Sequence, residues 1–208
     1  MKQKIDIQAL YVGVQGSGKT YRMMKDVQAL VKKYQKKYDL DNGYMRYENP
    51  RILAFDPFRE WTVENGEQKL LVNGTPIIPL TEQRFQSENP AERYAFLGTA
   101  DKDEFLHYIE RSQNTIIIVE ELLHFDRSDF PVLRRASSAR RHNGNVLFSS
   151  TQRPSHMPLI LISSCTDIFA FKIISKDDTK KLTSFSNYNT ENIDLSLFKV
   201  GQCVNLIS

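Results

Sequence analysis

Gly13-Val14-Gln15-Gly16-Ser17-Gly18-Lys19-Thr20 is the stretch that decides how the chain is read. It fits the pattern G-x-x-x-x-G-K-[ST] in full. Glycines let the backbone turn tightly and aim its N–H groups at phosphate oxygens. The flanks suit that task. Residues 5–12 are an apolar run expected to be a strand. Residues 18–36 carry a helical stripe of Met24, Val27, Val31 and Tyr34, with Met23 and Leu30 beside it. A helix starting there adds its positive end to the cradle. In this pattern the lysine, here Lys19, reaches the β- and γ-phosphates, and the hydroxyl of Thr20 takes Mg²⁺. All eight residues are therefore candidates for binding ATP with Mg²⁺.

A phosphate cradle of this kind needs an acid at the tip of a neighbouring strand. Ile116-Ile117-Ile118-Val119-Glu120-Glu121 supplies two. The apolar run reads as a central strand buried on both faces. Adjacent residues at a strand end diverge and can divide the work. Glu120 is assigned to the metal and Glu121 to the attacking water. The usual pattern has Asp in the first position, so Glu120 adds one methylene of reach.

Further out, strands and helices alternate, which predicts an α/β fold: a mostly parallel P-loop (RecA-like) sheet with helices on both faces. Strands are expected at 51–56, 115–120, 145–151, 167–174 and 202–207, and helices at 101–112, 130–142 and 156–164. Residues 38–50 read as a polar loop with Asn42-Gly43. Residues 58–100 are the least regular part, an insertion with one hairpin signal where 69–72 and 75–79 flank Asn73-Gly74. No linker divides the 208 residues, so one domain is expected over 1–208. Two cysteines and four histidines without ligand spacing make neither a disulfide framework nor a zinc site. No apolar run is long enough to span a membrane, and the start lacks a signal peptide. The net charge of +3 neither demands nor excludes nucleic acid.

The C-terminal half narrows the class. Arg140-Arg141-His142-Asn143-Gly144 leads into Asn145-Val146-Leu147-Phe148-Ser149-Ser150-Thr151-Gln152-Arg153-Pro154-Ser155. This segment resembles the FtsK–HerA superfamily of nucleic-acid pumps: an Arg-containing helix, a Gly, a strand, then Thr-Gln-Arg-Pro-Ser. Asp56-Pro57-Phe58-Arg59-Glu60-Trp61 is similar to the Asp-Pro stretch of the HerA branch, and Ser175-Lys176-Asp177-Asp178 to the Ser-Lys-x-Asp of FtsK motors. A bare core of this length resembles the genome-packaging ATPases of tailless, membrane-containing icosahedral viruses.

The resemblance implies a set of roles. Gln152 stands where the family has a polar sensor of the γ-phosphate. Arg141 matches an arginine supplied across a subunit interface, with Arg140, Arg134 and Arg135 as competitors. A homo-oligomeric ring, a hexamer by family habit, is expected to move double-stranded DNA, with Arg127, Arg134, Arg135, Lys176, Lys180 and Lys181 as candidate phosphate contacts. A capsid-vertex or membrane protein would be its docking partner, in the host cytoplasm or at a packaging vertex. Two alternatives stand beside this reading: an assembly or secretion ATPase like those of filamentous-phage morphogenesis, and a small-molecule kinase on the same loop.

Overall fold

The computed structural model describes residues 6–40, 51–58, 61, 63–64, 67–68, 70–71, 75–87, 96–185 and 193–207, without side chains for 33–40, 63–77 and 96. Residues 38–40 of the expected loop belong to the helix Lys19–Leu40; its remainder, 41–50, the turn residues Asn73-Gly74, and Arg59 and Glu60 fall outside the described residues.

The strands are β1 (Gln8–Val12), β2 (Arg51–Phe55), β3 (Val63–Glu64), β4 (Glu67–Gln68), β5 (Leu70–Leu71), β6 (Thr75–Pro79), β7 (Phe96–Thr99), β8 (Thr115–Val119), β9 (Val146–Thr151), β10 (Asp167–Ala170) and β11 (Val204–Asn205). Nine of them form one sheet in the order β11-β10-β1-β9-β8-β2-β7-β6-β5, and β3 and β4 pair separately. From β10 to β6 every pairing is parallel. The two edges, β11 and β5, are antiparallel.

β1 sits between β9 and β10, with Ala9 opposite both Phe148 and Asp167. β8 is the next strand but one, so the loop after β1 and the acids after β8 emerge at the same carboxyl edge. Ligands bind at that edge in open α/β sheets.

The helices are α1 (Lys19–Leu40), α2 (Glu82–Gln86), α3 (Lys102–Arg111), α4 (Phe130–Asn143), α5 (Leu159–Ser163) and α6 (Lys176–Thr183). The alternation of β8 divides the core between the two faces. Ile116 and Ile118 join Met23, Val27, Leu30 and Trp61 on one side. Ile117 and Val119 join Phe105, Ile109, Leu133 and Leu161 on the other. Met23, Val27 and Leu30, spaced i, i+4, i+7, are the buried stripe of α1, while Met24 and Val31 are only partly covered. Among the described residues no helix is long and apolar enough to cross a membrane.

Several expected elements changed shape. The helix expected at 156–164 is a 3-10 turn, Pro154–His156, followed by α5, because Pro158 stands between them and cannot continue a hydrogen-bond ladder. The strand expected at 167–174 pairs only to Ala170; beyond it, Ile173 N–H turns to Leu195 O. The hairpin at 69–79 is present, with Leu71 opposite Thr75. Residues 58–100 are more regular than their sequence suggests, since β6 and β7 extend the parallel sheet.

Candidate functional site

The loop after β1 is stitched to both flanking strands. Gly13 N–H donates to Thr151 O at 3.2 Å, and Val14 N–H to Lys172 O at 2.9 Å. A Cβ at Gly13 would lie 2.8 Å from Phe171 Cβ and 3.1 Å from Lys172 O, so no other residue fits without a shift. Gly18 turns through φ +101°, which disfavours any L side chain, and its backbone lies against Gly201. Gly201 N–H donates to Ser17 O at 2.9 Å, fastening the segment before β11 to the loop.

Lys19 is 7% exposed and folds back over the loop. Its Nζ donates to Gly13 O at 2.9 Å and Val14 O at 3.1 Å. These are neutral acceptors. A phosphate oxygen offers a stronger, charged one to the same ammonium.

Glu120 caps β8 at 3% exposure. Its Oε1 accepts from Thr20 Oγ1 at 2.6 Å and from Ser150 Oγ at 3.3 Å. Its Oε2 accepts from Trp61 Nε1 at 2.9 Å. Trp61 is itself fixed, its backbone N–H donating to Asp56 Oδ2 at 3.1 Å. The Thr20 hydroxyl and the Glu120 carboxylate form an all-oxygen donor pair at the foot of the loop. Mg²⁺ takes hard oxygen ligands of this type, usually one or two carboxylates with waters and phosphate, so the residues present fit that ion.

Glu121 is buried at φ +61°, ψ +89°. A non-glycine residue held there is strained by about 1–3 kcal/mol. Four hydrogen bonds hold it: its N–H donates to Ser150 Oγ at 3.0 Å, its O accepts from His124 N–H at 3.2 Å, and its Oε1 accepts from Leu123 N–H at 3.3 Å and Gln152 N–H at 3.2 Å. Its Oε2 has no hydrogen bond among the described residues. The reversed backbone is what separates the two acids, with Glu120 facing Thr20 and Glu121 facing Gln152. Together these residues line a cleft of about 370 Å³, whose wall also includes Tyr21 and Phe58. That is within the size of ordinary small-ligand sites.

No protein-family model matches the sequence, and no curated protein does. Solved structures do match. The genome packaging NTPase B204 of Sulfolobus turreted icosahedral virus 2, in complex with AMP, superposes with a TM-score of 0.65 at 15% identity, covering 96% of this chain and 91% of that one. The same protein in complex with AMPPCP gives 0.63, also at 15% identity and with the same coverage. B204 of Sulfolobus turreted icosahedral virus, described as its DNA-packaging ATPase, gives 0.55 at 14% identity over 88% of this chain and 83% of that one. The chain shares the fold of these P-loop NTPases.

Within this fold the other residues singled out from sequence are scattered. Arg140 and Arg141 end α4 at the sheet edge opposite the cleft, both on Asp6. Arg135 pairs with Glu110. Arg127, Arg134, Lys176 and Lys180 are exposed and have no hydrogen bond or ion pair among the described residues. Lys181 differs, since its Nζ donates to Ser155 O at 2.9 Å and also to Met157 O. Burial pushes its pKa below the ordinary lysine value, against the opposing pull of Asp178.

Asp178 in α6 is 1% exposed. It accepts from Ser155 N–H at 2.9 Å and faces Arg153 Nε at 3.0 Å. The turn after Gln152 is thereby locked to α6. Burial alone would raise the pKa of Asp178; the Ser155 and Ser175 hydrogen bonds and the Arg153 guanidinium outweigh it and hold it below the usual carboxylate range.

Sequence reasoning missed Ser150 and the role of Trp61. Ser150 lies inside a buried strand, where a serine that must find partners is itself a signal. Nothing local links Trp61 to an acid at position 120.

Proposed function

We propose that this chain hydrolyses ATP with Mg²⁺ and couples the cleavage to movement of double-stranded DNA, as a genome-packaging motor working in a ring of like subunits. The observation that carries it is the 2.6 Å contact between Thr20 Oγ1 and Glu120 Oε1 at the foot of a phosphate-binding loop. The packaging-NTPase fold supports it.

In this reading the loop N–H groups and Lys19 grip the β- and γ-phosphates. Thr20 and Glu120 would hold Mg²⁺, which when bound would supply neutralisation of phosphate charge. The unbonded oxygen of Glu121 orients the attacking water and takes its proton. Gln152, tied to Glu121 through its own N–H, presents its amide to the same water and the γ-phosphate. Loss of the γ-phosphate then reaches α6 through the Arg153–Asp178 lock. Arg127, Arg134, Lys176 and Lys180 are the exposed cations available to a DNA backbone. The ring is a hexamer in this proposal, docked to a capsid-vertex or membrane protein in the host cytoplasm or at the packaging vertex.

ATP turnover measured with and without duplex DNA tests the reading. Turnover should rise several-fold with DNA, and the gain should vanish as salt is raised from about 50 to about 200 mM, because counterion release weakens phosphate contacts steeply. Phosphate transfer to a nucleoside in place of hydrolysis would establish the kinase instead. Native mass with ATP and DNA reads the ring size.

A further inference from the structure

We infer that Asp6 is a positioning residue, which aims Arg141 at nucleotide held by a neighbouring subunit. The inference rests on the ring-ATPase reading above.

Asp6 lies two residues before β1, so it sits at the sheet edge away from the loop. Seven residue steps of nearly extended chain, about 3.3 Å each, lead from it to Gly13, which puts it about 23 Å from its own phosphate site. Arg141 is ion-paired there and cannot serve that site. Any phosphate it meets belongs to another subunit.

One carboxylate holds two arginines that differ in kind. Asp6 Oδ1 lies 3.0 Å from Arg140 Nη2, and Asp6 Oδ2 lies 2.9 Å from Arg141 Nε. Arg140 is buried at 9% exposure and also donates from Nη1 to Ser137 O at 2.9 Å. That residue alone suffices to staple the end of α4 to β1. The Arg141 side chain is 73% exposed, where an ion pair adds little to stability. Stability therefore does not explain the second contact.

The geometry of the second contact has a use. Arg141 makes its nearest approach to Asp6 through Nε, and its Nη groups make no hydrogen bond among the described residues. A guanidinium tethered through Nε presents its remaining fork of N–H donors outward, the arrangement that matches a phosphate. The base of the side chain is rigid as well. Gly144 ends α4 at φ +71°, and a Cβ there would lie 2.4 Å from Asn114 Oδ1. Asn145 N–H closes on Arg140 O at 2.8 Å. Asp6 thus removes the rotamer freedom that an exposed arginine would otherwise lose at each encounter with its target.

The test compares Asp6→Asn, Asp6→Glu and Arg141→Ala in the full chain. Asp6→Asn should lower kcat about 10- to 100-fold, the scale of a misplaced catalytic group, and leave KM for ATP within about twofold. Asp6→Glu keeps the charge and should fall between Asn and the native chain. Mixed with Lys19→Ala subunits, Asp6→Asn subunits should regain turnover, since their intact pockets then meet correctly held arginines. A purely structural role would lower Tm without this rescue in trans. Native kcat in Asp6→Asn, or no rescue, overturns the assignment of Asp6 while Arg141→Ala remains inactive. Full turnover in Arg141→Ala would instead remove the trans-acting arginine itself.

Discussion

Trp61→Phe is the sharpest probe of the site. It deletes the indole N–H that donates to Glu120 Oε2 at 2.9 Å while keeping an aromatic ring in place. Trp61 is 1% exposed and Glu120 3%, so water cannot replace the lost bond. A hydrogen bond to a charged partner is worth about 1.5–3 kcal/mol. The smaller ring leaves a void that adds about 1 kcal/mol. A total of about 3 kcal/mol, at about 2–4 °C per kcal/mol for a chain of this length, lowers Tm by about 6–12 °C.

The functional effect is more specific than the melt. With Oε2 released, Glu120 no longer holds Oε1 on Thr20, and turnover should need several-fold more Mg²⁺ to reach half its maximum. Calorimetry gives the first number, and ATP hydrolysis titrated with Mg²⁺ gives the second. Native Mg²⁺ dependence in the variant, whatever its Tm, would refute the claim that Trp61 orients the acid.

Other outcomes follow from the same geometry. Glu121→Gln should cut kcat about 10²- to 10⁴-fold, the usual contribution of a general base, with nucleotide affinity kept when fluorescent ATP is titrated. Gly13→Ala puts a methyl 2.8 Å from Phe171 Cβ, and thermal unfolding should register a loss of about 1–3 kcal/mol for overpacking. The depressed pKa of Asp178 makes its contribution to stability complete above the unfolded carboxylate value, about 3.9, and lost as pH falls through its lower folded value. Urea midpoints of Asp178→Asn should therefore be lower than native near neutral pH, with the gap closing in acid below about pH 4.

The parts of the molecule legible in its sequence share one property: their signal is local. Gly13 to Thr20, as the turn between β1 and α1, and the run Ile116–Val119 each declare themselves within a few residues; α1 was legible as a helix, but its buried face is Met23, Val27 and Leu30 instead of the stripe through Met24 and Val31. The failures came where partners are distant. Trp61 meets Glu120 across 59 positions, and Ser150 meets it across 30. β7 is a four-residue strand whose neighbours, β2 and β6, are fixed only by the sheet. α6 went unread because Ser175-Lys176-Asp177-Asp178 drew notice as a motif, although Ser175 is also its N-cap, accepting from Asp178 N–H. The positive φ of Glu121 could not be foreseen, since a glutamate there gives no hint of a reversed backbone. It is imposed by Ser150 and Gln152 from the next strand.

The placement of β1 has a consequence for biogenesis. The strands that flank it, β9 and β10, leave the ribosome about 140 to 160 residues after it. At about 5–20 residues per second, translation leaves its two unpaired edges waiting for about 7–30 s. Throughout that interval Ala9, Leu10, Tyr11 and Val12, all destined for the interior, have no sheet to enter. The loop after β1 takes its final setting only once β9 and β10 have been made, so the nascent chain has reason to need a chaperone until they emerge.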